Sequence, residues 1–389
     1  MGDVYLIGAG ETPVTKGSAV RPRQLAAEAV EAAIAQAGIE RSEIGMLLVG
    51  NMMSGMLARQ QQLGALIADL CGLRGIEAAS VESACSSGAA AARWGYTSVA
   101  GGLHDVVVVC GVEVMTSAPW EDTTAALATA ADWEIEGRAG ETFISLNARL
   151  MRLYMDTYGI DHGDFAHFAV NAHHNASTNP SALLRKPIDR ETYLGSRVLA
   201  DPVKLLDAPP VCDGAAAVVL ATEAVARAAG RSDLPSVRIA GSAIGTDSLA
   251  LAERADPLWL SGVELSTGRA LEQAGVQPAD IDLFELHDAY TIITSLSLEA
   301  AGFVPRGRGV HFGECGEIAL DGALPISTMG GLKARGHPVG ATGVYQLAEI
   351  HRQLTGTAGP NQVPGAELAL VQNIGGTGAT VVSHVLQRV

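Results

Sequence analysis

AIAQAGIERSEIGMLLVGN at residues 33–51 and ALEQAGVQPADIDLFELHD at 270–288 carry one pattern twice. Each opens on the end of an Ala-rich helix, stops at Gln-Ala-Gly, passes through a polar spacer and closes on a short apolar run. A glycine just past the last periodic apolar residue ends a helix, because it enters the left-handed region without a Cβ clash. The apolar run after it reads as a strand. A second correspondence follows: Ser86, Ser87 and Gly88 open an Ala-rich helix that precedes the strand at 106–110, as Gly340, Ala341 and Thr342 open a helix that precedes Leu368 to Gln372. Chance likeness between two Ala-rich helices would not reproduce the stop and the following strand as well. The chain therefore reads as two similar halves, each holding a βαβα unit, with two sheets stacked around shared central helices.

Outward from the repeat, Val4 to Gly8 reads as a strand and Arg23 to Ala37 as an amphipathic helix closed by Gly38. Val106 to Cys110 is an all-apolar, β-branched run of the kind that helices cover on both faces. At 389 residues the chain exceeds the size at which one core keeps growing. Hydrophobic residues at 48%, aromatics at only 4% and 45 glycines point to an α/β fold packed through small side chains. Between the halves, roughly Met115 to Pro210 breaks the rhythm and exits through Pro202, Pro209 and Pro210 into Asp213-Gly214 and the strand Ala215 to Leu220. Inserts of this length carry a binding surface or cover a site. The expected organisation is 1–116 for the first part of the N-terminal half, 117–210 for the inserted loop domain, 211–235 for the strand and helix closing that half, and 236–389 for the C-terminal half.

Three segments carry chemistry. Cys85 sits in ESACSSG, where small residues lead into the helix starting near Gly88. Unpaired N–H groups and the positive dipole end at a helix start are expected to lower a thiol's pKa and make it a nucleophile. His337 lies in GGLKARGHPVGATG, a loop whose glycines admit close backbone approach and whose Pro338 fixes the next φ. An imidazole there can take the proton of Cys85 and return it. His287, in LFELHDAY, follows the repeated second-half strand, and the carboxyl ends of such strands are where α/β sheets place their chemistry. Gly375, Gly376 and Gly378, in QNIGGTG, can offer backbone N–H groups to a developing oxyanion.

The remaining features exclude more than they assign. A net charge of −16 with no Lys/Arg cluster argues against nucleic acid, so an anionic ligand would need local Arg/Lys residues and helix starts. Five scattered cysteines form neither a disulfide framework nor CxxC pairs; Cys110 reads as core, and Cys71, Cys212 and Cys315 lack a helix-start setting. No basic-then-apolar leader opens the sequence and no apolar run is long enough for a bilayer, so a cytoplasmic protein without a membrane partner is expected. His162, His167, His173 and His174, with Asp161 and Asp164, match no dedicated metal spacing, and no metal is expected. Gly8-Ala9-Gly10 lacks the third glycine of a dinucleotide loop, since Pro13 stands there.

With these residues the chain resembles the thiolase superfamily over nearly its whole length: the box around Cys85, HDAY at His287, GHPxGATG at His337 and NIGGTG from Asn373 stand in the family's order. The branch it most resembles is the sterol-carrier and archaeal type, with His-Asp where other thiolases have Asn-Glu. The resemblance implies two βαβαβαββ halves in a five-layered α-β-α-β-α fold, an inserted loop domain that binds coenzyme A, and a homodimer or tetramer. It implies acyl transfer through a thioester on Cys85, activated by His337. His287 or a water it holds would help stabilise the substrate oxygen, and the N–H groups of Cys85 and Gly375 would form a second oxyanion hole. Coenzyme A thioesters would be substrates, with no tightly bound cofactor. The implied reaction is acetyl-CoA C-acetyltransfer, as acetoacetyl-CoA synthesis or 3-ketoacyl-CoA thiolysis. The alternatives are transfer to a non-CoA acceptor and a steroid-side-chain retro-aldolase, for which Tyr290 and Tyr345 are the residues of interest. The family's second acid/base cysteine is replaced here by Ala289 and Asn373, so Tyr290, Asn373 at the vacated place, His287 or a bound water is expected to move that proton. Relatives with this lack often pair with a small OB-fold, zinc-ribbon protein.

Overall fold

The computed structural model describes residues 2–17, 20–229 and 235–389. The first half runs β1 (Val4–Glu11), α1 (Pro22–Ala37), β2 (Met46–Gly50), α2 (Ser54–Leu57), α3 (Leu63–Leu70), β3 (Glu77–Val81), α4 (Ser87–Ala100) and β4 (Val106–Val114). The insert holds α5 (Trp120–Ala128), α6 (Phe143–Tyr158), α7 (Ala166–Ala176), α8 (Arg190–Leu194) and the two-stranded β5 (Val198–Ala200) and β6 (Val203–Lys204). The first half then closes with β7 (Asp213–Thr222) and α9 (Glu223–Ala228). The second half runs β8 (Val237–Thr246), α10 (Ser261–Ala274), β9 (Leu283–Glu285), α11 (Thr291–Ala300), α12 (Thr342–Thr355), β10 (Leu368–Gly375) and β11 (Thr380–Arg388). Residues 230–234, at the end of the expected 211–235 segment, lie outside the described residues.

The repeat is a repeat of structure. Both helices end at a glycine in the left-handed region, Gly38 at φ 69° and Gly275 at φ 73°. Both spacers form a single 3₁₀ turn closed by the same device: the Glu40 N–H donates to the Glu43 carboxylate at 2.8 Å, and the Gln277 N–H to the Asp280 carboxylate at 2.8 Å. Both following strands then pair in parallel, β2 with β4 and β9 with β10. The second half departs from the first at one place. The counterpart of β3 shrinks to a single parallel bridge, Phe284 with Ile326.

Strand order is β3-β2-β4-β7-β1-β8-β11-β10-β9, two half-sheets made continuous where β1 meets β8 through Tyr5 with Arg238 and Leu6 with Val237. The helices α1 and α3 cover one face of the first half-sheet, and α10 packs on β8 and β11 of the second. Between the half-sheets lie α4 and α12, which touch each other and strands of both halves, so the layers run α-β-α-β-α. Small residues allow that contact: a Cβ on Gly343 would sit 2.5 Å from the Ala89 nitrogen, and one on Gly88 would sit 2.8 Å from the Gly340 carbonyl oxygen. The strands are longer than the sequence suggested, with β4 extending to Val114 and buried throughout, because Val112 and Val114 continue the apolar face of Val106, Val108 and Cys110 while Gly111 and Glu113 take the other. Gly8 and Gly10 lie inside β1, where a Cβ would meet the α1 backbone at 2.6 and 2.4 Å; their role is close helix packing.

Candidate active site

Cys85 occupies the bend between β3 and α4. Ala84 before it holds φ 49°, a left-handed conformation that a residue with a Cβ adopts only under constraint. Two hydroxyls supply it. Ser86 Oγ donates to the Ser83 carbonyl at 2.7 Å, while Ser87 Oγ donates to the Ala84 carbonyl at 2.6 Å and accepts from the Ser83 N–H at 2.9 Å.

Cys85 is 7% exposed, and the helix-start expectation of a low pKa is overturned. Burial pushes the thiol up to about 12, the Glu113 carboxylate adds to the rise, and the N–H groups of Gly376 and of Cys85 itself pull against it. Desolvation of a thiolate outweighs the helix end here because little solvent reaches the bend.

The Gly376 N–H comes from the turn joining β10 to β11. Gly375, expected in a loop, is the last residue of β10, paired with Thr380, and lies against Ser83 and Ser86. Arg254, itself 6% exposed, clamps the turn from outside: Nη1 donates to the Thr377 carbonyl at 2.8 Å and Nη2 to Thr377 Oγ1 at 3.0 Å. The insert covers the same turn, since a Cβ on Gly376 would stand 3.0 Å from the Ala130 carbonyl oxygen. Arg254 also lines a cleft of about 700 Å³ with Ser145, Arg149, Arg152, Leu251 and Pro257.

The two predicted imidazoles meet. The rings of His287 and His337 stand edge to face with centroids 5.0 Å apart, 3% and 6% exposed. Burial lowers His287 to about 3, Asp288 opposing and Lys333 and Arg335 adding to the fall; burial, His287 and Arg335 take His337 well below its ordinary value. Both rings are therefore neutral near pH 7. Asn373 Nδ2 donates to His287 Nδ1 at 2.9 Å, and His337 Nδ1 lies 2.7 Å from Thr342 Oγ1. Asn373 and Gly376 lie together at the end of β10, so one strand end touches both the thiol and His287.

Buried charges frame these rings. Lys333 Nζ donates to the Asp288 carbonyl oxygen and lies 3.5 Å from its carboxylate. Arg335 pairs with Glu349 at 2.7 Å and lies over the Tyr345 ring. The Tyr345 hydroxyl donates to the Thr12 carbonyl at 2.8 Å, which engages it structurally. Tyr290 is buried, its phenol raised by burial and by the Cys85 sulfur nearby once that ionises. Glu113, at the end of β4, collects the N–H groups of Met52, Met53 and Gly340 and the amide of Asn51, tying the His337 loop to the first half.

The model of the thiolase N-terminal domain matches residues 4–224, and that of the thiolase C-terminal domain-like region matches 243–388. The chain belongs to the thiolase family. This thiolase is 42% identical to the acetyl-CoA acetyltransferase of Methanothermobacter thermautotrophicus, with all of both chains covered. It is 32% identical to sterol carrier protein 2 of Bos taurus, over 98% of this chain and 71% of that one. The solved Ltp2-ChsH2(DUF35) aldolase superposes with a TM-score of 0.87 at 27% identity, covering 99% of this thiolase and 98% of that chain.

Glu113, Arg254 and Thr342 were missed in the sequence, while the N–H of Gly376 falls where a donor was expected. Of the missed residues, only Thr342 falls inside a recognised motif; Glu113 and Arg254 act from elements distant in sequence. His162 bonds Asp207 at 2.8 Å within the insert, away from the thiol bend. No helix among the described residues is long and apolar enough to cross a membrane.

Proposed function

We propose that this thiolase is an acetyl-CoA C-acetyltransferase that works through a Cys85 thioester. The observation that carries the reading is the convergence, at the end of β10, of a buried thiol and a neutral imidazole pair in a chain 42% identical to an acetyl-CoA acetyltransferase. His337 takes the proton from Cys85 Sγ as the sulfur attacks the acetyl carbonyl, and returns it to the departing coenzyme A sulfur. The carbonyl oxygen, negative in the tetrahedral intermediate, is met by donors fixed in advance: the Cys85 N–H and the Gly375–Gly376 turn. In thiolysis, Cys85 Sγ gives its proton to His337 and attacks the keto carbonyl of acetoacetyl-CoA, the bond from that carbon to the α-carbon breaks, the acetyl group stays on the sulfur and the enolate of acetyl-CoA departs. His287 holds the oxygen of that enolate.

Tyr290 is the group we assign to the second proton. Its raised phenol stays protonated and suits the acid role in thiolysis, where it protonates the departing acetyl-CoA carbon. Asn373 carries no titratable proton and serves otherwise. The cleft beside Arg254 accepts the coenzyme A chain, its phosphates meeting Arg149 and Arg152, which now pair with Glu141 and Asp201, and the 117–210 insert acts as the covering domain. We place the protein in the cytoplasm as a homodimer or tetramer, with a small OB-fold, zinc-ribbon protein as partner. The solved Ltp2-ChsH2(DUF35) aldolase, named for a DUF35 component, supports the idea of a second chain.

Mass spectrometry of the intact protein after incubation with acetyl-CoA tests the reading. An acetyl adduct lost in Cys85→Ala, with loss of acetoacetyl-CoA thiolysis, is expected. Full thiolysis by Cys85→Ala would overturn it, and retro-aldol turnover without any adduct would favour the other chemistry.

A further inference from the structure

Two neutral imidazoles at one site can do different work only if their protons sit on different nitrogens. Which nitrogen carries the proton is set by what the other one meets.

At His287 the partner is the Asn373 carboxamide, with Nδ2 2.9 Å from Nδ1. An amide N–H only donates, so Nδ1 is the acceptor and the ring proton is on Nε2. The opposite amide orientation would put the carbonyl oxygen on Nδ1 and turn the NH₂ to where Asn373 Oδ1 now lies. Oδ1 is buried and meets no donor or acceptor among the described residues. Reversal would strand two buried N–H groups instead of one carbonyl, and orphaned N–H groups are the rarer case in folded proteins.

At His337 the partner is a hydroxyl. Thr342 Oγ1 lies 2.7 Å from Nδ1 and 3.1 Å from the Pro338 carbonyl oxygen. The single hydroxyl proton goes to the carbonyl, which can only accept. The oxygen is then left to accept from Nδ1–H, and Nε2 keeps its lone pair.

We infer that Asn373 and Thr342 are positioning residues that lock the two rings in opposite tautomers, His287 as an Nε2–H donor and His337 as an Nε2 base. The inference rests on the thiolase reading above for its consequence, though not for its geometry. It also gives a use for the residue standing where the family's second cysteine is lacking.

Nitrogen NMR of protein labelled with ¹⁵N-histidine, His287 and His337 being identified by their loss in His287→Ala and His337→Ala, reads the tautomers directly. Wild type should show a protonated Nε2 and a bare Nδ1 at His287, with the reverse at His337. Asn373→Asp, nearly the same shape, replaces the amide donor by a carboxylate acceptor and should move the His287 proton to Nδ1. Thiolysis should then fall by on the order of 10²–10³-fold in kcat with little change in KM, as when one oxyanion donor is removed. Thr342→Val should mix the His337 tautomers while Thr342→Ser restores the wild-type pattern. A wild-type His287 signal protonated at Nδ1, or two rings in the same tautomer, would overturn the inference whatever the activity. A reversed His287 with undiminished thiolysis would confirm the tautomer assignment while sinking the oxygen-binding role of that ring.

Discussion

Arg254 holds Thr377 by both its backbone and its side chain, at 2.8 Å to the carbonyl oxygen and 3.0 Å to Oγ1, from a strand-to-helix connection outside the segments of Cys85, His287 and His337. Thr377 follows the glycine whose N–H bonds the Cys85 sulfur, so the guanidinium fixes a donor it never touches. Arg254→Ala should lower stability by about 1–3 kcal/mol, since two buried acceptors lose their charged donor. It should also lower the rate of Cys85 acetylation more than it changes acetyl-CoA affinity. Urea unfolding and stopped-flow mass analysis of the acyl-enzyme separate the two effects.

The resting state of the thiol–imidazole pair follows from burial. With the Cys85 thiol pushed up to about 12 and His337 held well below its ordinary value, the pair at neutral pH is thiol with neutral imidazole, and not thiolate with imidazolium. Alkylation of Cys85 by iodoacetamide, followed by peptide mapping, should therefore accelerate steadily as pH rises from 6 to 10. A plateau beginning near pH 7 would show an ion pair instead.

Glu113 has the opposite linkage to a salt-bridged acid. Burial lifts its folded pKa to about 7 against four opposing donors, while the unfolded value stays near 4.5. The folded chain therefore holds the extra proton between those values, and stability falls as pH rises from about 4.5 to 7, by up to roughly 3 kcal/mol. Glu113→Gln removes this titration and should flatten the slope of unfolding free energy over that window. Its amide would also face groups that only donate, costing about 1–3 kcal/mol and loosening the Gly340 loop. Unfolding by urea at a series of pH values between 4.5 and 8 checks both.

Tyr290→Phe removes the proposed proton carrier and little else, because the ring remains to fill its buried site. Thiolysis of acetoacetyl-CoA should fall on the order of 10²–10⁴-fold while acetylation of Cys85 from acetyl-CoA persists. Equal loss of both half-reactions would assign the residue to packing or substrate placement.

The legible and hidden parts of this molecule divide by sequence distance. The helix stops at Gly38 and Gly275 and the strands after them were readable because local backbone preference and apolar spacing act within a few residues. Cys85, His287 and His337 stood out because small residues and glycines surround them, and the structure sets His287 against His337 at 5.0 Å. The pKa of Cys85 was misjudged for the same reason: a helix start is local, whereas the desolvation that outweighs it comes from elements far along the chain. Glu113, Arg254 and the lost third strand at Ile326 are equally products of tertiary contact, and neighbouring residues give no sign of them.

The ladder between β1 and β8, with Gly88 and Gly343 of the paired central helices pressed against neighbouring backbone, leaves no seam along which the duplicated units could part. A hinge there would have to tear a sheet and open a dry helix contact in one motion. Breathing that admits a long acyl carrier is therefore left to the segment spliced between β4 and β7, and there to the stretch over the Gly376 turn, because Leu146, Met151, Tyr154 and Phe165 of the same segment share the second half's core.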